Sequence, residues 1–311
     1  MLSKRFILTL IAAIAALALA CGNGGSPSTP SASSQSTAAD FPQTIQQTDG
    51  QAVTIATKPQ RIVSLDAHAT EIFCAVGAAD QLVAVDKYAN CPLGSSAKPA
   101  LDAFQPSLEA IAGYRPDLVY TSANGGDIVT SLRRLNIPVI YIVNPTSLSG
   151  VLDHINTLAA ASGHAAEGKK LTASMQTRMD GIKSKLAAVS QGPRVYHELD
   201  NTLYSAAPNS FVGDFYTFLK AQNIAAGAAS AYPQLSAEVI VQRNPEVIVL
   251  ADEAAGISAN DVKSRPGWGV IDAVKNNRIC VVDPDIVSRA GPRIVDALDT
   301  LAKCIYPDIF K

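Results

Sequence analysis

The sequence predicts an α/β protein of two Rossmann-like lobes joined by a long rigid backbone helix, with a ligand cleft between the lobes. Three observations carry that prediction. First, one passage occurs twice. Ser107-Leu108-Glu109, six residues, then Pro116-Asp117 and the apolar run 118–120 is followed later by Ser236-Ala237-Glu238, six residues, then Pro245-Glu246 and the apolar run 247–249. The copies lie 129 residues apart, too far for a solenoid repeat, so the repeating unit is a whole lobe. Second, short apolar runs alternate with stretches of helical spacing on both sides of the chain's middle, the signature of parallel sheets covered by helices. Third, the pattern between the copies is a single long helix.

The elements follow in order. In the N-terminal lobe, 58–147, the runs 61–65, 82–85, 118–120 and 139–143 read as strands. Residues 70–77, 108–114 and 128–135 read as the helices between them, the first stopped by Gly77. The linking region, 148–190, holds a helix over 148–161 and a longer one over 165–190. The longer one places Leu171, Met175, Met179, Ile182 and Leu186 at three- and four-residue steps and would run about 40 Å. Gly168 and Gly181 are its only internal glycines. In the C-terminal lobe, 191–311, strands are expected at 194–196, 247–250 and 279–282, and helices at 210–219, 262–275 and 294–305.

The N-terminus reads as an export signal over 1–20. Lys4 and Arg5 precede an apolar stretch of 15 residues, 6–20, which ends in the small-x-small site Ala18-Leu19-Ala20. A membrane-spanning helix needs about 20 apolar residues, so the stretch is short for an anchor. Cleavage before Cys21 would expose a lipidatable cysteine, although Ala-Leu-Ala also suits an ordinary signal peptidase. Residues 22–39 are Gly, Asn, Ser, Pro, Thr, Ala and Gln without a large apolar side chain, and read as a flexible tether. The segment 21–57 as a whole is expected to be a lipidated Cys, tether and lead-in. A tether directly after a cysteine makes sense if that cysteine is held at the outer face of the cell membrane.

Net charge is −2 with no basic stripe, which argues against a nucleic-acid partner. Four cysteines follow Cys21, one pair in each lobe. An even count in an exported chain suggests disulfides, and three connectivities exist. The within-lobe pairing, Cys74–Cys91 and Cys280–Cys304, leaves the lobes separately closed; buried free thiols are the alternative. The sequence lacks Gly-x-Ser-x-Gly, His-Glu-x-x-His, Walker-type and Gly-x-Gly-x-x-Gly patterns. Asp66-Ala67-His68 can be drawn as half a triad without an evident nucleophile. A secreted α/β hydrolase is therefore the weaker reading, and no catalytic residue is assigned.

Several segments resemble the substrate-binding proteins of ABC importers for cobalamin and iron–siderophore complexes, the type with a rigid interdomain helix. They are residues 59–65 with Ala69-Thr70-Glu71-Ile72, 108–119, 232–249, Arg265-Pro266-Gly267-Trp268, and Ser288-Arg289-Ala290-Gly291-Pro292-Arg293. The resemblance spans about 58–309. It implies a carried ligand, cobalamin or an Fe(III)-siderophore, with haem as a further option, and no resident cofactor. It also implies a permease dimer with its ATPase as partner, contact with the membrane only through the lipid anchor, and a monomeric chain. Glu109 and Glu238, one per lobe, would meet arginines of that permease. Read from the residues alone, each is an acid in the first turn of a Ser-capped helix.

The ligand would lie beyond the carboxyl ends of the strands. The N-terminal lobe offers Asp66, His68, Tyr88, Asn90, Phe104, Ser122 and Asn124 there. The C-terminal lobe offers Tyr204, Tyr232, Asp285 and Arg289. Aromatic side chains opposite a few polar groups suit a large, flat, partly apolar ligand. Cobalamin binders of this type often carry Trp where Phe104 and Tyr232 stand. The histidines His68, His154, His164 and His197 are far apart in sequence, and no metal site is expected. His154 and His164 are expected to face solvent, and His68 and His197 to approach the cleft. Trp268, the only Trp, is read as a packing residue.

Overall fold

The structure, a computed structural model, describes residues 41–90, 99–252 and 256–311. The expected signal segment, lipidated Cys21 and tether lie outside the described residues, as does Cys91 and with it the Cys74–Cys91 pairing.

The N-terminal lobe is built on five parallel strands. They are β3 (Ile62–Ser64), β4 (Leu82–Asp86), β5 (Ala100–Leu101), β6 (Leu118–Thr121) and β7 (Val139–Tyr141), in the order β5-β4-β3-β6-β7. Three helices connect them: α1 (Ala67–Ala75), α2 (Leu108–Gly113) and α3 (Ile128–Arg134). Strands β3, β4, β6 and β7 are largely buried, mostly apolar runs because helices cover both faces of the sheet, while β5 at the edge is more exposed. The order reverses between β3 and β6, which opens a crevice at their carboxyl ends.

The C-terminal lobe repeats the scheme with four parallel strands: β8 (Arg194–Glu198), β9 (Gln222–Asn223), β10 (Val247–Leu250) and β11 (Ile279–Val281), ordered β11-β10-β8-β9. Its helices are α6 (Phe211–Phe218), α7 (Ala237–Arg243), α8 (Ala259–Lys263), α9 (Asp272–Lys275), α10 (Pro284–Val287) and α11 (Ile294–Ile305). The single helical region expected over 262–275 is broken, because Pro266 and Gly267 interrupt it and Gly267 takes a positive φ of 79°. Cys280 and Cys304 are bonded, tying β11 to α11.

The doubled passage occupies equivalent places in the two sheets. Ser107 caps α2 by accepting from the Ala110 N–H, and Ser236 caps α7 by accepting from the Val239 N–H. The acids after the prolines do matching work. Asp117 accepts from the Arg61 N–H at 2.9 Å, and Glu246 from the Arg194 N–H at 2.9 Å. The two arginines in turn donate to the last carbonyls of the helices: Arg61 Nε to Tyr114 O, Arg194 Nε to Asn244 O. Each copy thus closes a helix and starts the neighbouring strand.

Two linking helices join the lobes, α4 (Leu148–Ala161) and α5 (Ala165–Lys185). Helix α5 has 21 residues, about 32 Å, and ends five residues before the sequence pattern suggests. The cause is a cap: the Lys220 ammonium donates to the Leu186 and Val189 carbonyls and turns the chain there. One apolar core runs from Phe73 and Leu82 of the first lobe through Leu158 and Met175 of the linkers to Val195 and Leu298 of the second. The outer face of each sheet has its own smaller core, around Val119 and Leu132 in one lobe and around Tyr196 and Trp268 in the other. Trp268 is fully buried, as its packing role requires.

The lead-in before residue 58 is not all tether. Strands β1 (Gln43–Gln46) and β2 (Ala52–Ile55) form an antiparallel hairpin with Ile45 and Ile55 buried. The Gln47 side chain accepts from the Tyr141 N–H, and Asp49 pairs with Arg133, so the hairpin covers the edge strand β7. No helix of the described residues is long and apolar enough to cross a membrane.

The crossing of α4 and α5 depends on Gly168. A Cβ there would lie 2.4 Å from the Ala159 Cβ. Gly168→Ala is therefore expected to lower stability by about 1–3 kcal/mol through overpacking, read as a fall of several degrees in Tm by calorimetry. An unchanged Tm would contradict the tight crossing.

Candidate functional site

The carboxyl ends of β3, β4 and β6 meet the segment after β11 at a cavity of about 280 Å³. Its wall includes Asp66, Tyr88, Phe104, Ser122 and Arg289 from the expected set, together with Asp86 and Asn144. Asp66 and Ser122 sit at the point where strand order reverses. The Ser122 hydroxyl donates to Asp66 Oδ2, while Asp66 Oδ1 accepts from the His68 N–H and pairs with His68 Nδ1. Burial alone raises the Asp66 carboxyl, but the His68 charge and the bonds from His68 and Ser122 outweigh it and hold it below the usual range. A serine that donates to the aspartate rather than to the imidazole is not an activated nucleophile, so the half triad stays incomplete.

Tyr88 and Phe104 form an exposed aromatic shelf. Their rings meet edge to face with centroids 6.2 Å apart, and 56% and 78% of each residue is exposed. Asp86 fixes this shelf from beneath: its carboxylate accepts from the Tyr88 N–H at 2.9 Å and the Ala103 N–H at 3.2 Å.

At Arg289 the cavity wall meets the seam between the lobes. Glu71 of α1 is only 1% exposed and receives three hydrogen bonds from the second lobe. Arg289 Nη1 donates to Oε1 at 2.8 Å, Arg293 Nε to Oε2 at 3.0 Å, and Arg293 Nη2 to Oε1 at 2.6 Å. Arg289 further donates to Asn90 Oδ1 and the Tyr88 carbonyl, and pairs with Asp285. Asn90 and Asp285 thus belong to the seam and are absent from the cavity wall. Glu71 and Arg293 escaped the sequence reading as site residues. They are 222 residues apart, and nothing in a single chain pairs them.

The remaining candidates are placed elsewhere. Asn124 Oδ1 accepts from the Val129 N–H and shapes the turn before α3. Tyr204 and Tyr232 are exposed on loops past the carboxyl ends of β8 and β9, and neither lines the cavity. His68 is buried, and its Nε2 has no hydrogen-bond partner among the described residues. The histidine expectations need correction. His154 does not face solvent: it is buried beside His68, with Nε2 3.0 Å from the Tyr120 hydroxyl. His164 is half-buried against Lys58. His197 does not approach the cleft but lies in the shared core, with Nδ1 2.5 Å from the Tyr216 hydroxyl. Among the described residues no three His, Cys, Asp or Glu side chains converge to hold a metal ion.

The switch point of the second sheet carries a second unforeseen cluster. Glu198, at the end of β8, is fully buried and takes a two-pronged pair from Arg265, which stacks over Trp268 at 4.6 Å. Asp252, just past β10, is buried beside it. Burial and the neighbouring Glu198 charge push the Asp252 carboxyl up to about 6.

Two predictions follow from this geometry. Glu71→Ala leaves two arginines facing each other without their anion. It should cost about 3–5 kcal/mol of unfolding free energy in denaturant titration, and a loss under about 1 kcal/mol would contradict the role assigned to Glu71. The second concerns acid. Burial, assisted at His154 by the His68 charge, pushes His154 and His197 down to about 3. Unfolded histidine titrates at about 6.5, so below that pH the unfolded chain binds more protons and stability falls. Asp252 acts oppositely, contributing below about pH 4 and losing that contribution as pH rises through about 6. Two histidines against one acid leave a net loss of about 1.4 kcal/mol per pH unit between about pH 6 and 4. Tm should fall across that window; a flat or rising Tm would contradict the buried neutral imidazoles.

Known proteins fall in line with this architecture. Residues 62–286 match the family model described as periplasmic binding protein. The chain is 32% identical over 87% of its length, and 88% of the relative's, to an uncharacterized ABC transporter substrate-binding lipoprotein of Bacillus subtilis. It is 29% identical to a cobalamin-binding protein of Halobacterium salinarum, covering 97% of this chain and 85% of that one. The crystal structure of a periplasmic vitamin B12 binding protein of Vibrio cholerae superposes with a TM-score of 0.70 at 26% identity, over 80% of this chain and 97% of that one. With the fold, the inter-lobe cavity and the sequence in agreement, the chain belongs to the periplasmic binding protein family.

Proposed function

We propose that this chain is an extracytoplasmic, lipid-anchored solute-binding protein that captures a corrinoid between its lobes and delivers it to an ABC importer, without covalent chemistry. The observation that carries the reading is the exposed Tyr88–Phe104 shelf above a polar floor at a sheet's switch point. Broad aromatic surface beside a few fixed hydrogen-bonding groups suits a large ring system with a polar periphery. A cavity of about 280 Å³ takes only part of such a ligand. The rest would extend over Tyr204 and Tyr232 of the opposite lobe, which stand exposed at the matching sheet edge. The named binding specificities of the Halobacterium and Vibrio relatives support the same ligand class.

The docking role of Glu109 and Glu238 has geometric support. Each is exposed in the first turn of a helix that leads into a strand. Such a helix runs antiparallel to its strand, so both glutamates stand at the carboxyl edges, the side on which the cleft opens. Two equivalent carboxylates on pseudo-symmetric lobes suit a two-fold permease, where they set register more than affinity. The chain would act as a monomer, tethered through Cys21.

Visible absorption titration with cyanocobalamin should give saturable binding in the micromolar range or tighter. No binding there, with ferric siderophore or haemin bound instead, would overturn the corrinoid assignment. In transport-competent cells or reconstituted vesicles, Glu109→Ala with Glu238→Ala should reduce uptake at least tenfold while cyanocobalamin affinity stays within about twofold. Normal uptake by the double variant would remove the docking role.

A further inference from the structure

The cavity that the corrinoid reading fills carries an unequal charge. Two carboxylates, Asp66 and Asp86, stand in its wall, and among the described lining residues Arg289 is the one cation. Arg289 is already committed: Glu71 and Asp285 both pair with it, and its remaining donors serve Asn90 and the Tyr88 carbonyl. Arg293 shares Glu71, and Lys87 beside Tyr88 is paired with Asp102. Counting the charged lining residues, their ion-pair partners and the Lys87–Asp102 pair, five carboxylates stand against three permanent cations. His68 shares its Nδ1 with Asp66, so even its protonated form leaves the acids in excess. A separate feature has the same sign. The Tyr88 ring already holds a cation over its face, Lys87 Nζ at 5.1 Å from the centroid, because an aromatic face attracts positive and repels negative charge.

We infer that the cleft is a charge filter, in which Asp66 and Asp86 select neutral or cationic ligands bearing hydrogen-bond donors and exclude polyanionic chelates of similar size. The inference rests on the corrinoid reading and adds a specificity rule to it. A corrin ring carries neutral amides around its edge, and their N–H groups are suited to an acidic wall. A ligand whose periphery carries carboxylates meets uncompensated like charge in a partly desolvated site. At a separation of about 8 Å and an effective dielectric near 20, each such pair costs enough to weaken binding roughly tenfold or more. Asp86 is itself buried, so solvent screens it less than a surface acid.

The test keeps ligand shape constant and varies charge. Cyanocobalamin is compared with its derivatives in which one or three peripheral amides have been hydrolysed to carboxylates, by absorption or calorimetric titration against the full chain. The parent should bind tightest, each carboxylate should weaken binding about tenfold at low salt, and the penalty should shrink as salt is raised. Asp66→Asn and Asp86→Asn each remove one negative charge. Asparagine still caps α1 at position 66 and keeps one acceptor at position 86. Each variant should narrow the gap between parent and triacid by about threefold or more. If Asp86→Asn fails to fold, Asp66→Asn and the salt series decide alone. A triacid that binds as tightly as the parent overturns the charge filter and leaves the corrinoid reading intact. Failure of cyanocobalamin itself to bind overturns the ligand reading on which the filter rests.

Discussion

The buried carboxylate of Glu71 is the constraint around which the molecule is arranged. It lies on the first helix of one lobe, and its partners, Arg289 and Arg293, lie beyond the last strand of the other. A carboxylate this deep is stable only with its lone pairs occupied, so the two lobes must approach closely enough to supply both guanidinium groups. That approach has visible consequences. At Gly291 a Cβ would lie 3.5 Å from Glu71 Oε2 and from the His68 carbonyl, in ordinary van der Waals contact, so the segment between the arginines packs directly on α1. Arg289, once held by Glu71, reaches on to Tyr88 and Asn90 and fixes the loop that carries the aromatic shelf. Through Arg289 the wall of the cleft and the lock between the lobes are joined.

A second restraint works from the opposite side. The linking helices feed the same apolar core as the inner faces of both sheets, so the lobes are not hung on an open hinge. A hinge absorbs motion in a few loop residues, whereas a shared core must repack to move. The ionic seam at the cleft and the packed spine behind it therefore restrain the lobes at two separated places. This geometry fits a cleft that receives its ligand with small adjustments of loops and side chains.

The parts of this account that the sequence made legible are those written in local periodicity. Helices α4 and α11 and strand β10 occupy the residues that their apolar spacing marks. The doubled Ser-x-Glu passage announced two related lobes, and its Ser, Pro and acidic positions cap, break and start elements in both. What escaped was set by tertiary partners. The end of α5 depends on Lys220, 34 residues further on. The β1–β2 hairpin has too few apolar residues to stand out, and is held by Gln47 and Asp49 against the far edge of the lobe. Glu71 looked like an ordinary helical glutamate, and His154 like a surface residue, because only the folded chain brings Arg293 to one and Tyr120 to the other. The candidate site was half legible for the same reason. Residues just past strand ends, such as Asp66, Tyr88 and Ser122, can be found from strand order, while the groups that hold them cannot.

Glu71, through Arg289 and Arg293, fixes the spacing of the lobes. Spin labels placed at Glu109→Cys and Glu238→Cys, one exposed position on each lobe, report that spacing directly as a distance distribution from pulsed electron paramagnetic resonance. A single narrow distribution is expected for the labelled chain with Glu71 intact, and a broadened or shifted one when Glu71→Gln is added and the arginines lose their anion. Superimposable distributions with and without Glu71→Gln would contradict it and leave the spine as the sole restraint on the cleft.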